Sequence, residues 1–153
     1  MNKDLDLIRT VKELNRTVYE INLTLMQKYE SQIDNEITSK QAVLLEILHK
    51  HNILTVSELA DLMKVTSSAV SQIISKLDKK NYVRREINPN NRREIMVLLG
   101  EEGFRYFEAR DRIDQTIIEK YYSQLDFEDV LHMKNTFKNL KSIIEKDLNQ
   151  KEN

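Results

Sequence analysis

Ser67, Ser68, Ser71, Gln72 and Ser75 crowd small polar side chains into one short stretch. At about 100° per residue on a helix they share one face, and Val70, Ile73, Ile74 and Leu77 fall on the other. Short hydroxyl and amide groups let a helix lie close in the major groove of duplex DNA, and glutamine offers the paired donor and acceptor that suits adenine. An ordinary amphipathic surface helix would more often turn Glu and Lys outward. Thr66 stands before the run as an N-cap, and Lys76 follows it with a cation. Two arginine pairs come next: Arg84 and Arg85 at the base of an expected hairpin, Arg92 and Arg93 at its tip. A guanidinium at the end of a hairpin suits a narrow A·T-rich minor groove, where negative potential is focused. Arginines on turns also serve solubility, so these gain weight from following the serine-faced helix.

The charge pattern points the same way. The chain carries a net charge of −1, which spread evenly would argue against phosphate binding. From Lys64 to Arg93, however, eight basic residues stand against two acidic ones, a net +6 that leaves −7 for the remainder. One anion-binding region set in an acidic body is the implied arrangement, with solvated faces of ordinary helices as the plainer explanation.

Several elements must position these residues. Thr38 with Gln41 and Thr55 with Glu58 have the spacing of capping boxes, which predicts two helix starts. The first helix, from Gln41 to about His49, presents Val43, Leu44, Ile47 and Leu48, and the second presents Leu59, Leu62 and Met63. The connection Met63-Lys64-Val65 then leads into a helix from Ser67 to about Lys80, a spacing typical of a helix-turn-helix. Asn81 suits a left-handed C-cap. Val83 to Ile87 and Glu94 to Leu98 alternate as strands around a turn-rich Asn88-Pro89-Asn90-Asn91-Arg92-Arg93. On either side lie longer helical stripes: Leu7, Val11, Leu14, Val18, Ile21 and Leu25 at 4-3-4-3-4 spacing, and Val130, Met133, Phe137, Leu140 and Ile144 after Asp126 as N-cap. Phe104, Phe107, Ile113, Ile117, Tyr121 and Leu125 mark a further helical stretch.

Composition bounds the remaining possibilities. A chain of 153 residues with 40% hydrophobic and 32% charged residues, 2 Gly and 1 Pro reads as one mainly helical domain. The absence of cysteine excludes a disulfide, a thiolate metal site and a thiol redox sensor. No apolar signal core or membrane-length run is present, so a cytoplasmic protein without membrane contact is expected. His49 and His51 sit roughly 200° apart on a helix and His132 is remote in sequence, so no metal and no cofactor is expected. Without a nucleophilic triad order, a glycine-rich phosphate loop or an HExxH pattern, an enzyme is not expected either.

The stretch Thr38 to Gly103 resembles the winged helix-turn-helix domain of the MarR (multiple-antibiotic-resistance regulator) family. Leu54-Thr55-Val56-Ser57-Glu58-Leu59-Ala60 resembles the segment that opens the family's first motif helix. Val70-Ser71 and Leu77-Asp78-Lys79-Lys80 resemble its recognition helix, and Tyr82-Val83-Arg84-Arg85 with Asn91-Arg92-Arg93 its strand and wing. Three positions depart from the family pattern: Asn91 replaces a wing aspartate, Gly100 a threonine cap, and Asn81 a glycine. The resemblance implies a mainly α winged helix with a two-stranded β wing, at residues 38–103, flanked by dimerisation helices at 1–35 and 104–153. It further implies a homodimer that binds double-stranded DNA at pseudo-palindromic operators, usually a repressor released by a small-molecule effector. The alternative is a winged-helix module that contacts proteins and binds no DNA.

Overall fold

The computed structural model describes residues 3–32 and 36–150; the expected boundary at residue 35 and both chain ends lie outside the described residues. Helix α1 (Lys3–Tyr29) runs into a 3-10 turn at Glu30–Gln32. The order continues α2 (Ser39–His51), β1 (Ile53–Thr55), α3 (Val56–Met63), α4 (Ser67–Lys79), β2 (Val83–Ile87), β3 (Ile95–Leu99) and α5 (Glu101–Lys120). A second 3-10 turn at Tyr122–Gln124 precedes α6 (Phe127–Gln150). The chain divides between Asp111 and Arg112 into two compact units.

Helices α2, α3 and α4 start where the hydroxyls predict. Gln41 N–H donates to Thr38 Oγ1 at 3.4 Å while Gln41 Oε1 accepts from Thr38 N–H at 2.8 Å. At α3 the reciprocal pair measures 3.1 Å from Glu58 N–H to Thr55 Oγ1 and 2.7 Å from Thr55 N–H to Glu58 Oε2. Thr66 Oγ1 accepts from Ala69 N–H at 3.2 Å and opens α4. Each such cap is worth about 1 kcal/mol.

Helix α4 ends as Asn81 suggests, with φ of 60° there. Tyr82 N–H donates to Leu77 O at 2.9 Å and Asn81 N–H to Asp78 O at 3.0 Å, the double closure of a Schellman end. The same closure ends α3 around Lys64, at φ of 53°, with Val65 N–H on Ala60 O and Lys64 N–H on Asp61 O, both at 3.1 Å. A lysine in this conformation carries a Cβ cost of roughly 1–2 kcal/mol, so here the tight connection between α3 and α4 outweighs local preference.

The sheet has the order β1-β3-β2 and is antiparallel throughout. Its β2–β3 hairpin is the expected two-stranded wing, with Val83 opposite Leu99 and Ile87 opposite Ile95. The third strand, β1, joins the other edge of β3 with Leu54 opposite Val97.

The core of this unit is built from Leu44, Leu45, Leu48, Leu59, Val70, Ile74, Leu77, Val83 and Val97, all fully buried. Two residues expected to face inward do not: Val43 and Leu62 are each 49% exposed, and Leu45 is buried instead. Helix α2 packs against both α3 and β3, which centres its buried stripe on Leu44, Leu45 and Leu48. Both glycines of the chain lie where the start of α5 crosses residues 81 and 82. A Cβ on Gly100 would sit 2.3 Å from Asn81 O, and one on Gly103 2.3 Å from Tyr82 O. That close crossing lets Glu102 N–H donate to Asn81 O at 3.0 Å and Gly100 N–H to Tyr82 O at 2.9 Å. Glycine at position 100 is therefore required by space rather than by capping.

In the second unit α6 carries Met133, Phe137, Leu140, Ile144 and Leu148 as partly exposed apolar residues along its length. No described helix is long and apolar enough to cross a membrane.

Candidate nucleic-acid interface

Helix α4 separates its two faces as the residue types predict. Val70, Ile74 and Leu77 are buried and Ile73 is partly so, which fixes the helix on the core by hydrophobic burial. Ser67, Ser68, Ser71, Gln72 and Lys76 are exposed on the outward side, and Thr66 holds the first turn. Ser75 differs from the other serines. Its hydroxyl donates to Ser71 O at 2.8 Å and accepts from Arg85 Nη2 at 3.0 Å, so its polar capacity is largely taken up inside the protein.

The wing separates the arginines that are neighbours in sequence. Successive strand residues point to opposite faces, so Arg85 shares the face of Val83 and Val97 that meets α4, and Arg84 lies on the reverse. Arg85 Nε pairs with Asp78 Oδ2 at 3.0 Å, and Arg84 Nη2 pairs with Glu86 Oε1 at 3.5 Å. Arg92 and Arg93 lie in the turn beyond the strands and are exposed. Asparagine side chains shape that turn: Asn88 Oδ1 accepts from Asn90 N–H at 3.0 Å and Asn91 Oδ1 from Arg93 N–H at 3.2 Å. Asn91 thus holds the backbone of Arg93, a neutral replacement for the aspartate of the family pattern.

These pairings sort the basic residues by their freedom to meet an anion. Arg84 and Arg85 are matched by Glu86 and Asp78, and Lys80 reaches back to Glu36, whose carboxyl it holds below the usual range by hydrogen bonding and charge. Lys76, Lys79, Arg92 and Arg93 have no ion-pair partner among the described residues. The unmatched positive charge therefore lies along the end of α4 and at the wing tip. Asp78 was not singled out by the sequence. The i, i+3 spacing makes Ser75 and Asp78 neighbours on α4, and only their contacts to Arg85 show that this side meets β2.

A cavity of about 140 Å³ is lined by Gln32, Tyr82, Glu102, Arg105, Tyr106, Ala109 and Arg110. It is smaller than the roughly 300–1,000 Å³ common for drug-sized ligands. Its arginines are engaged: Arg105 with Glu101 at 2.5 Å and Glu102 at 2.6 Å, Arg110 with Glu46. Burial works against the charge on Arg110, but Glu46 and Tyr106 more than offset it and raise its pKa. His49 is stacked on Phe107 at 4.0 Å between ring centroids.

A profile described as "MarR family" matches residues 37–95, which span α2 to the wing. The chain is 32% identical over 129 residues to the HTH-type transcriptional repressor MdtR of Bacillus subtilis, covering 79% of this chain and 83% of that one. Among solved structures, the YusO protein from Bacillus subtilis is 29% identical with a TM-score of 0.71, covering 93% of this chain and 99% of that one. MepR of S. aureus, solved bound to ethidium bromide, shares the fold at 23% identity and a TM-score of 0.67, over 85% of this chain and 95% of its own.

Proposed function

This chain belongs to the MarR family of transcriptional regulators, and from that premise we propose that it binds double-stranded DNA as a homodimer and represses transcription from a pseudo-palindromic operator. The observation that carries the proposal is the outward face of α4, a run of small hydroxyl and amide groups on a firmly buried helix with unmatched cations at its end and at the wing tip. Ser67, Ser68, Ser71 and Gln72 read base edges in the major groove, Lys76 meets phosphate, and Thr66 fixes the first turn. Arg92 and Arg93 reach the adjacent minor groove.

The homodimer is supported by the stripe on α1, in which Leu7, Val11, Leu14, Val18 and Ile21 are between 37% and 63% exposed in the single chain. In this arrangement residues 1–35 and 104–153 supply the dimerisation helices and 38–103 the DNA-binding lobe. Release by a small-molecule effector draws support from MepR, which was solved with ethidium bromide.

Titration of a 30-base-pair duplex at several salt concentrations tests DNA binding directly. Log affinity should fall linearly with log salt, with a slope of about −0.9 for each phosphate neutralised. A flat response would assign the winged helix to protein contacts instead.

A further inference from the structure

We infer that Arg85 is a positioning residue: clasped by Asp78 and Ser75, it fixes the angle between α4 and the wing and thereby the preference for one DNA sequence, without itself touching DNA. This rests on the DNA-binding proposal above.

Three features of the structure lead there. The guanidinium is bound on two edges by one helix, Nε to Asp78 Oδ2 and Nη2 to Ser75 Oγ, both at 3.0 Å. Two contacts from a planar fork to adjacent positions of one helix define an orientation as well as a distance, which a lysine ammonium cannot do. The clasp also sits at the right place to act as a strut. Arg85 lies opposite Val97, one step past the Val83–Leu99 pair where the core holds β2 and β3, and just before Ile87 and Ile95, which are exposed. Beyond the clasp, the hairpin extends to the turn that bears Arg92 and Arg93. An error of angle at this fulcrum would be carried to the wing tip, so both halves of the interface depend on it. Finally, the charge of Arg85 is matched by Asp78, whereas Lys76, Arg92 and Arg93 have no ion-pair partner among the described residues. A phosphate contact by Arg85 would first have to break this pair.

The test uses the full chain and two probes: a random-sequence 30-base-pair duplex, and a duplex of the same length selected by the wild-type protein from a randomised pool. Arg85→Gln should leave the salt slope on the random duplex unchanged and cut the preference for the selected duplex by about tenfold, the scale of one mismatched base pair. Arg85→Lys should not rescue it, because charge without the fork cannot hold both Asp78 and Ser75. Asp78→Asn should resemble Arg85→Gln, and the double variant should be no worse than either, since the two side chains form one device. A slope flattened by about one unit in Arg85→Gln and restored in Arg85→Lys would make Arg85 a phosphate contact and overturn the inference. Tighter binding of the random duplex by Asp78→Asn would do the same, by showing that Asp78 withholds the arginine from DNA. Equal losses on both duplexes at constant slope would reduce the clasp to general stability and also overturn it. A wild-type protein without any salt slope would remove the DNA-binding proposal itself, an outcome readily told apart from a failure confined to the variants.

Discussion

The segment from Leu44 to Leu99 and helix α1 are both well supplied with apolar residues, yet they differ in where those residues go. In the segment, three short helices and three strands close around Leu44, Leu48, Leu59, Ile74, Leu77 and Val97, each at or below 1% exposure. Along α1 the stripe is as regular as any in the chain, but Leu7 is 63% and Leu14 49% exposed. The first region finds its partners within one chain; the second has the periodicity of a packed helix without the packing. Burying a Val, Leu or Ile side chain fully is worth roughly 1.5–3 kcal/mol, so a stripe with exposed Leu7, Val11, Leu14, Val18 and Ile21 is a drive toward association.

The largest effect should come from charging that stripe. Replacing Leu14 and Val18 together by Asp puts unpaired carboxylates where the second copy is proposed to pack, at a cost of several kcal/mol. Sedimentation should then show monomer in place of dimer. An unchanged dimer mass would move the interface off α1 and dissolve the contrast between the two regions. Next in size is Leu48→Ala, which hollows a site with no exposure and should cost about 2–5 kcal/mol. This loss should not vary with protein concentration, because the core around Leu48 is supplied by one chain. A loss that shrinks as concentration rises would mean that the lobe, too, depends on its partner.

The same contrast explains what could be read in the sequence. Within the lobe, local chemistry and tertiary structure agree: Thr38, Thr55 and Thr66 cap the helices they precede, Asn81 adopts positive φ, and α4 buries the face its pattern assigns. What escaped reading has non-local causes. Strand β1 is three residues long and exists because Leu54 lies opposite Val97, more than forty residues away. Val43 and Leu45 exchange places because α2 packs against α3, α4, β1 and β3, and no periodicity within one helix reveals that. Lys64 takes a left-handed conformation that its type disfavours. In the candidate site, residue types named the face of α4 and the wing, but adjacent sequence positions suggested a common role for Arg84 and Arg85. Strand parity sends them to opposite faces, where each meets a different carboxylate.

A smaller effect, on binding alone, separates the lobe's exposed elements from its core. Arg93→Ala removes a side chain at the end of the hairpin and should leave the unfolding midpoint unchanged. Operator affinity should fall by about 1–3 kcal/mol, with a salt slope flatter by about one unit and the greatest loss on A·T-rich flanks. Binding curves for Arg92→Ala and Arg93→Ala on A·T and G·C flanks check this. Unaltered affinity and flank preference in both variants would remove the wing from the mechanism.

The smallest predicted effect compares two helix starts that differ in one atom group. At α2 the returning side chain is the neutral amide of Gln41; at α3 it is the carboxylate of Glu58. The backbone N–H of Thr55 holds the Glu58 carboxyl below its ordinary pKa, with help from the Thr55 hydroxyl and, more weakly, from the charge of His51. A lowered folded-state pKa stabilises the protein above the unfolded value of about 4.3, and the contribution disappears as pH falls through the folded value. The group is almost fully solvated, so the magnitude is on the order of a few tenths of a kcal/mol after screening. Glu58→Gln should therefore be slightly less stable than wild type at pH 7 and indistinguishable from it at pH 3, by urea midpoints with unchanged slopes. All other carboxylates cancel in that difference. Gln41→Glu should create the same acid-sensitive increment at α2, where none exists. A deficit in Glu58→Gln that persists undiminished at pH 3 would show that Glu58 acts by shape and not by charge, and would make the two helix starts equivalent.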